Sequence, residues 1–174
     1  LVTGGSRGLG AAIALRLARE GAAVAITYTS KPDKAQEVVE AIKKDGGKAL
    51  AVQADAGDVA AVQAAVARTA QELGGLDILV NNAGIAPMAP LDQFSLEDFD
   101  RIVAVNIKGV FVATQSAATH MKEGGRVINI GSVNSDSMPF QGGAVYAMSK
   151  GAVASLTRGL ARDLGLRGIT VNNI

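Results

Sequence analysis

The sequence contains no cysteine and no tryptophan, a single histidine, only four prolines, and aromatics amounting to 3% of its residues. Without cysteine there are no disulfides and no thiolate metal sites, and His120 alone cannot assemble a histidine metal site or a histidine-based catalytic triad. An excess of charge of one sign is also lacking. Seventeen Lys and Arg stand against sixteen Asp and Glu, for a net charge of +1 with no long block of either kind. No electrostatic footprint therefore points to nucleic acid or to a charged membrane surface as a partner. No apolar run is long enough to span a bilayer and no stretch resembles a signal peptide, so the expectation is a soluble, cytoplasmic protein.

What is present is a chain of 174 residues that is 48% hydrophobic and holds 21 glycines. That suffices for one domain with a substantial core, and residues 1–174 are read as one. Leu1-Val2-Thr3 is apolar and β-branched, Gly4 to Gly10 breaks the pattern, and Ala11 to Glu20 resumes with good helix formers: strand, glycine turn, helix. Ala23 to Thr27 reads as a buried parallel strand, and Ser30-Lys31-Pro32-Asp33 as the start of a helix capped by Ser30. Further strands are expected at Ala49 to Val52, Ile78 to Val80, Arg126 to Ile130 and from Ile169. Between them run helical patterns, one beginning at the capping box Ser95-Leu96-Glu97-Asp98 and continuing to about Lys122, another from Gly143 to about Leu164. Six strands, each of the first five followed by a helix, predict an α/β fold: a doubly wound parallel sheet with helices on both faces.

In such a sheet ligands bind beyond the carboxyl ends of the strands, and the unusual residues fall there. The first turn, Gly4-Gly5-Ser6-Arg7-Gly8-Leu9-Gly10, lacks the Lys-Ser/Thr ending of a triphosphate loop, but its glycines allow backbone N–H groups to approach a pyrophosphate at a helix N-terminus. The second strand ends in Tyr28-Thr29-Ser30-Lys31, without the acidic residue that prefers a free ribose 2′-hydroxyl. With Arg7 and Lys31 near Thr29 and Ser30, NADP(H) is favoured over NAD(H), which stays open. Asp55 and Ala56, then Asn82, Ala83 and Gly84, follow the third and fourth strands, and Ser132 follows the fifth.

Tyr146 and Lys150 lie four apart on a predicted helix, on one face, so phenol and ammonium are held side by side. A tyrosine titrates near ~10, and one cation at ~4 Å in an effective dielectric of ~20 is worth about 4 kcal/mol, about what bringing it towards neutrality takes. An isolated Tyr-x-x-x-Lys is ordinarily an exposed pair. The company of the other motifs gives this one its meaning.

Thr3-Gly4-x-x-x-Gly8-x-Gly10, Asn81-Asn82-Ala83-Gly84, Asn106, Ser132 and Tyr146-x-x-x-Lys150 stand in the order of the short-chain dehydrogenase/reductase family, which the whole chain resembles. The glycine turn and Gly131-Ser132 are most similar to the 3-oxoacyl-[acyl-carrier-protein] reductase-like branch. The resemblance implies a Rossmann-type fold, a nicotinamide cofactor, and hydride transfer between a small-molecule carbonyl and a secondary alcohol. It implies Asp55 at the adenine, Asn82, Ala83 and Gly84 along the adenosine side, and Lys150 on the nicotinamide ribose. It further implies a tetrad in which Tyr146 is general acid or base, Lys150 lowers its pKa, Ser132 holds the substrate oxygen, and Asn106 positions a water linking Lys150 to solvent. Ser135 is a rival to Ser132, and the interval from Ser132 to Tyr146 is one residue longer than the family's usual spacing. The resemblance also implies a homotetramer built through the helices starting near Ser95 and Ala144, and further residues before Leu1 and after Ile174. A second reading, from another class, is an NADP(H)-binding regulatory or sensor protein without turnover.

Overall fold

The computed structural model describes residues 1–174. In chain order the elements are α1 (Gly8–Arg19), β1 (Val24–Tyr28), α2 (Pro32–Lys44), β2 (Ala49–Gln53), α3 (Val59–Leu73), β3 (Ile78–Asn81), α4 (Leu96–Ile102), α5 (Gly109–Ala118), β4 (Arg126–Asn129), α6 (Ala144–Gly165) and β5 (Thr170–Asn173). The strands are short apolar runs rich in Val and Ile, as expected where both faces of a sheet are covered. All pairings are parallel: Val24 faces Ala49, Ile78 faces Arg126, and Arg126 faces Thr170.

The two sets of strands, β1 with β2 and β3 with β4 and β5, are joined by Leu1–Thr3. Val2 bridges to Ile26 on one side and to Val80 on the other, with Val2 N–H donating to the Ala25 carbonyl at 2.8 Å and Thr3 N–H to the Val80 carbonyl at 3.0 Å. The expected first strand is thus a bridging segment, and the sheet order is β2, β1, Leu1–Thr3, β3, β4, β5. The chain winds outward from this segment through β1 to β2 and then crosses to β3, so the order reverses beside residues 1–3. That is the switch point, where the carboxyl ends of adjacent strands diverge and leave a crevice.

Side chains alternate between the two faces. Leu1, Ala25, Leu79 and Val127 join a buried cluster with Val62 and Val66 of α3, Val112, Ala113 and Ala117 of α5, and Leu164 of α6. Val2, Val24, Ile26 and Val80 join the opposite cluster with Ala14 of α1 and Ala35, Val38, Val39 and Ile42 of α2. Ala35, Val38, Val39 and Ile42 are the face that helical spacing singles out in the sequence.

Two local expectations are revised. Ser30 does not cap α2: Pro32, with its fixed φ and missing N–H, occupies the first turn, and Lys31 stands at the cap position without a side-chain bond. The long helical pattern after Ser95 runs on without a break but changes pitch. Ser95 caps α4 as expected, its Oγ accepting from Asp98 N–H at 3.0 Å, and Val103–Lys108 then form a π-helical turn in which Gly109 N–H reaches back to the Ala104 carbonyl. α5 ends at Ala118. No helix is long and apolar enough to cross a membrane.

Candidate active site

The glycine turn leaves the sheet between β1 and β3 and is pinned from both sides. Gly4 N–H donates to Thr27 Oγ1 at 3.0 Å and Gly5 N–H to the Thr27 carbonyl at 2.9 Å. From β3, Asn82 Nδ2 donates to the carbonyls of Thr3 and Gly4 at 2.9 and 3.1 Å, while Thr3 Oγ1 accepts from the N–H groups of Asn82 and Ala83, both at 3.0 Å. These bonds require the turn, Asn82 and the start of α1 to pack closely. A Cβ on Gly10 would lie 2.5 Å from both Asn82 Nδ2 and the Gly4 carbonyl oxygen. Gly4 itself sits at φ +65°, a left-handed conformation that side-chain-bearing residues rarely adopt.

Above this turn lies a cleft of about 390 Å³. Its walls include every residue that the sequence assigns to cofactor binding outside the Tyr146–Lys150 pair: Gly4 and Ser6 to Gly10 at the base, Thr29 and Ser30 on one flank, Asp55 and Ala56 at the far end, and Asn82 to Gly84 along the other flank. Lys31 and Arg7 also face it, both exposed. α1 begins without a side-chain cap, so the N–H groups of its first turn are available to an anion.

Asp55 is held by a residue that the sequence does not single out. Arg101 of α4 donates to both Asp55 carboxylate oxygens, at 2.9 and 2.7 Å, and Gly57 N–H donates to one of them at 2.8 Å. Partial burial works against the charged carboxylate, but the bonds from Arg101 and Gly57 outweigh it and hold the Asp55 pKa below its ordinary value. Arg101 also lines the cleft. The two residues are 46 apart in sequence, so no local pattern links them.

Of the remaining site residues, Asn106 and Lys150 come together beside Gly84 of the cleft wall, with the Tyr146 ring next to Lys150. A Cβ on Gly84 would be 3.5 Å from Asn106 Oδ1 and 4.0 Å from Lys150 Nζ, so both groups lie next to this wall residue. Lys150 Nζ donates to the Ile130 carbonyl at the end of β4 at 2.6 Å and lies 5.8 Å from the centre of the Tyr146 ring. Lys150 is buried, and burial pushes its ammonium pKa below the ordinary lysine value. The half-buried Tyr146 uses its backbone carbonyl to accept from Ser149 Oγ at 2.7 Å, and its phenol hydroxyl has no partner within the chain.

Asn106, buried on the π-helical turn, is fully bonded. Its Oδ1 accepts from Ile85 N–H at 2.9 Å, and its Nδ2 donates to the Ile85 carbonyl at 2.9 Å and to Ser149 Oγ at 3.0 Å. Ser132 follows β4 and begins a single 3₁₀ turn over Val133–Ser135, its Oγ accepting from Asn134 N–H at 3.1 Å. That leaves its hydroxyl hydrogen free. The rival Ser135 donates its own hydroxyl to Asp136 Oδ2 at 2.9 Å.

Beneath these residues a buried polar chain ties the strand ends to the helices. Asn81 Nδ2 donates to Thr114 Oγ1 at 3.1 Å and to Asn129 Oδ1 at 2.8 Å, and Asn129 Nδ2 donates to Thr157 Oγ1 at 2.9 Å. These bonds join β3, β4, α5 and α6. Asn81 and Asn129 end apolar runs, the one signal in the sequence for such partners; Thr114 and Thr157 look like ordinary helix residues.

A family model described as short chain dehydrogenase matches residues 1–174. An uncharacterised oxidoreductase of Methylorubrum extorquens is 46% identical over 173 residues, which cover 99% of this chain and 69% of that protein. A hydroxynaphthalene reductase of Aspergillus fumigatus is 44% identical over 174 residues, and the chain spans 63% of that protein's length. A short chain dehydrogenase from Burkholderia cenocepacia, solved in complex with NADP, is 54% identical and superposes with a TM-score of 0.98, covering 99% of this chain and 70% of that one. Motif order, sheet topology and these matches agree, and the chain belongs to the short-chain dehydrogenase family of oxidoreductases.

Proposed function

We propose that the protein is an NADP(H)-dependent oxidoreductase that interconverts a carbonyl and a secondary alcohol, with Tyr146 as the group that gives and takes the proton. The observation that carries this reading is the pair of groups beside Gly84, a buried ammonium and a locked amide, next to the wall of a cleft that is also lined by a glycine turn opening a helix.

The cleft fits a dinucleotide. A Cβ on Gly8 would meet nothing within 4 Å, so the turn is open on the side where phosphate oxygens would approach, and the uncapped start of α1 offers N–H donors there. Ser6 to Gly10 would hold the pyrophosphate, Asp55 and Ala56 the adenine, Asn82 to Gly84 the adenosine side, and Lys150 the nicotinamide ribose. Arg7, Thr29, Ser30 and Lys31 would hold a ribose 2′-phosphate, a preference supported by the NADP bound in the Burkholderia cenocepacia relative. A bound nicotinamide supplies the hydride.

In reduction, negative charge develops on the carbonyl oxygen, and the chain's own groups answer it. Tyr146 Oη passes its proton to that oxygen. Ser132, whose hydroxyl hydrogen is uncommitted, donates a hydrogen bond to the same oxygen. The Lys150 ammonium stabilises the phenolate left behind, and Asn106 positions a water that links Lys150 to solvent for reprotonation. Oxidation runs these transfers in reverse.

The test is NADPH oxidation by the full-length protein over a panel of ketones that includes 3-oxoacyl thioesters and hydroxynaphthalene-type substrates, with Tyr146→Phe beside it. Loss of a positioned proton donor lowers kcat by ~10²–10⁴-fold. A Tyr146→Phe variant as active as its parent would overturn the mechanism.

A further inference from the structure

Ser149 stands between the two motif residues of α6 and is completely buried. Its hydroxyl bond to the Tyr146 carbonyl, three residues back, is the local bond that many helical serines make. The bond from Asn106 Nδ2 is not local: it crosses 43 residues, from the π-helical turn to α6. Donors run in one direction, from the Asn106 amide to the Ser149 hydroxyl to the Tyr146 carbonyl. With Ile85 supplying both a donor and an acceptor, every hydrogen of the Asn106 amide is used. Turned over, the amide would oppose its oxygen to the Ile85 carbonyl and its NH₂ to the Ile85 N–H.

We infer that Ser149 is a positioning residue: it locks the Asn106 amide onto the N-terminal half of α6, so that the Gly84–Ile85 wall of the cleft and the Tyr146–Lys150 pair keep one fixed spacing. The inference rests on the proposed roles of Asn106 and Tyr146. Ser149 touches neither the cleft nor the phenol, so it acts through Asn106 and through the Tyr146 backbone. Without its hydroxyl, one hydrogen of the buried Asn106 amide loses its acceptor, and the hydrogen-bonded link between the π-helical turn and α6 is cut.

The test combines Ser149→Ala, Asn106→Ala and the double variant in the full-length protein. One lost neutral hydrogen bond corresponds to about a three- to tenfold fall in kcat, with the KM for NADPH unchanged within about twofold. The double variant should be no slower than Asn106→Ala alone. Independently of turnover, the Ile85 amide should exchange its hydrogen faster in Ser149→Ala, while that of Val127 in the sheet centre stays protected. Additive falls in kcat, or an unchanged Ile85 amide, would overturn the inference. A parent without turnover would instead count against the proposed function, and the Ile85 amide would still decide whether Ser149 holds Asn106. If the alanine variant does not fold, Ser149→Cys fills the site while offering the Asn106 amide only a weak acceptor and the Tyr146 carbonyl only a weak donor, and the same outcomes apply.

Discussion

At the scale of single residues the site is held under tension between function and stability, and Lys150 shows it most plainly. An ammonium in a largely buried position is disfavoured in its charged form, which is why its pKa lies below the ordinary value. The unfolded chain therefore binds this proton more tightly than the folded one. The cost to stability is full at neutral pH and fades as pH rises from the folded pKa through the unfolded value of 10.5. Lys150→Met removes the titration. The stability of the parent relative to that variant should therefore rise between pH 8 and pH 11, measured by urea unfolding at each pH, while the variant loses turnover throughout. A difference that stays flat across that window would mean that Lys150 titrates normally in the folded state. Asp55 behaves in the opposite way. Its pKa is held down, so its pairing with Arg101 supports the fold at neutral pH and is lost only in acid; because both side chains remain partly exposed, the contribution is at most about 1 kcal/mol.

At the scale of elements, close approach decides what each turn tolerates. A methyl on Gly10 would collide with the Gly4 backbone and with Asn82, groups already fixed by the four hydrogen bonds that Asn82 and Ala83 donate to Thr3 and Gly4. Gly10→Ala should cost about 1–3 kcal/mol, the usual range for overpacking. Gly84→Ala meets only ordinary van der Waals distances and should unfold within about 0.5 kcal/mol of the parent, yet it places a methyl on the cleft wall and should weaken NADPH binding. Chemical denaturation and a binding titration on the same two variants separate the outcomes; equal stabilities would contradict the packing of the turn. The elements themselves were legible in the sequence wherever a local pattern decides them. Apolar runs ending in Gly, Asn or Asp marked the strand ends, and the spacing of Ala35, Val38, Val39 and Ile42 marked a buried helix face. The π-helical turn was not legible, because helical propensity from Ser95 onward is uninterrupted and the widened turn coincides with bonds from Asn106 to Ile85 and Ser149 that lie far away in sequence. Ser30 misled for a local reason, since Pro32 dictates where the helix begins.

At the scale of the whole molecule, the cleft lies across the junction of the two halves of the sheet, with Thr29 and Ser30 from β1's end on one side and Asn82 to Gly84 from β3's end on the other. A ligand there contacts both halves and binds only the assembled fold. NADPH at about one hundred times its Kd should stabilise the protein by about 2.7 kcal/mol, or roughly 5–10 °C in Tm for a chain of this size. NADH at the same concentration should give a smaller shift, and Arg7→Ala should erase the difference between the two. Equal shifts from both cofactors in the parent would remove the case for a 2′-phosphate site. Which residues gather at the cleft was legible because each follows an apolar run. Arg101, on the cleft wall, and Ser149, outside it, were not, since what marks them is a partner 46 or 43 residues away.

The placement of Leu1–Thr3 between Ile26 and Val80 also has a consequence in time. During synthesis this segment can pair with β1 as soon as residue 28 has emerged, but its other edge must wait for β3, roughly fifty residues later. At about 5–20 residues per second, the middle of the future sheet spends some 3–10 s as an open strand edge, apolar on both faces and able to pair with any other extended chain. A segment buried at the centre of the finished sheet is thus one that the ribosome leaves with an open edge: α1 and α2 cover one of its faces early in that interval, and α3 reaches the other only shortly before β3 emerges.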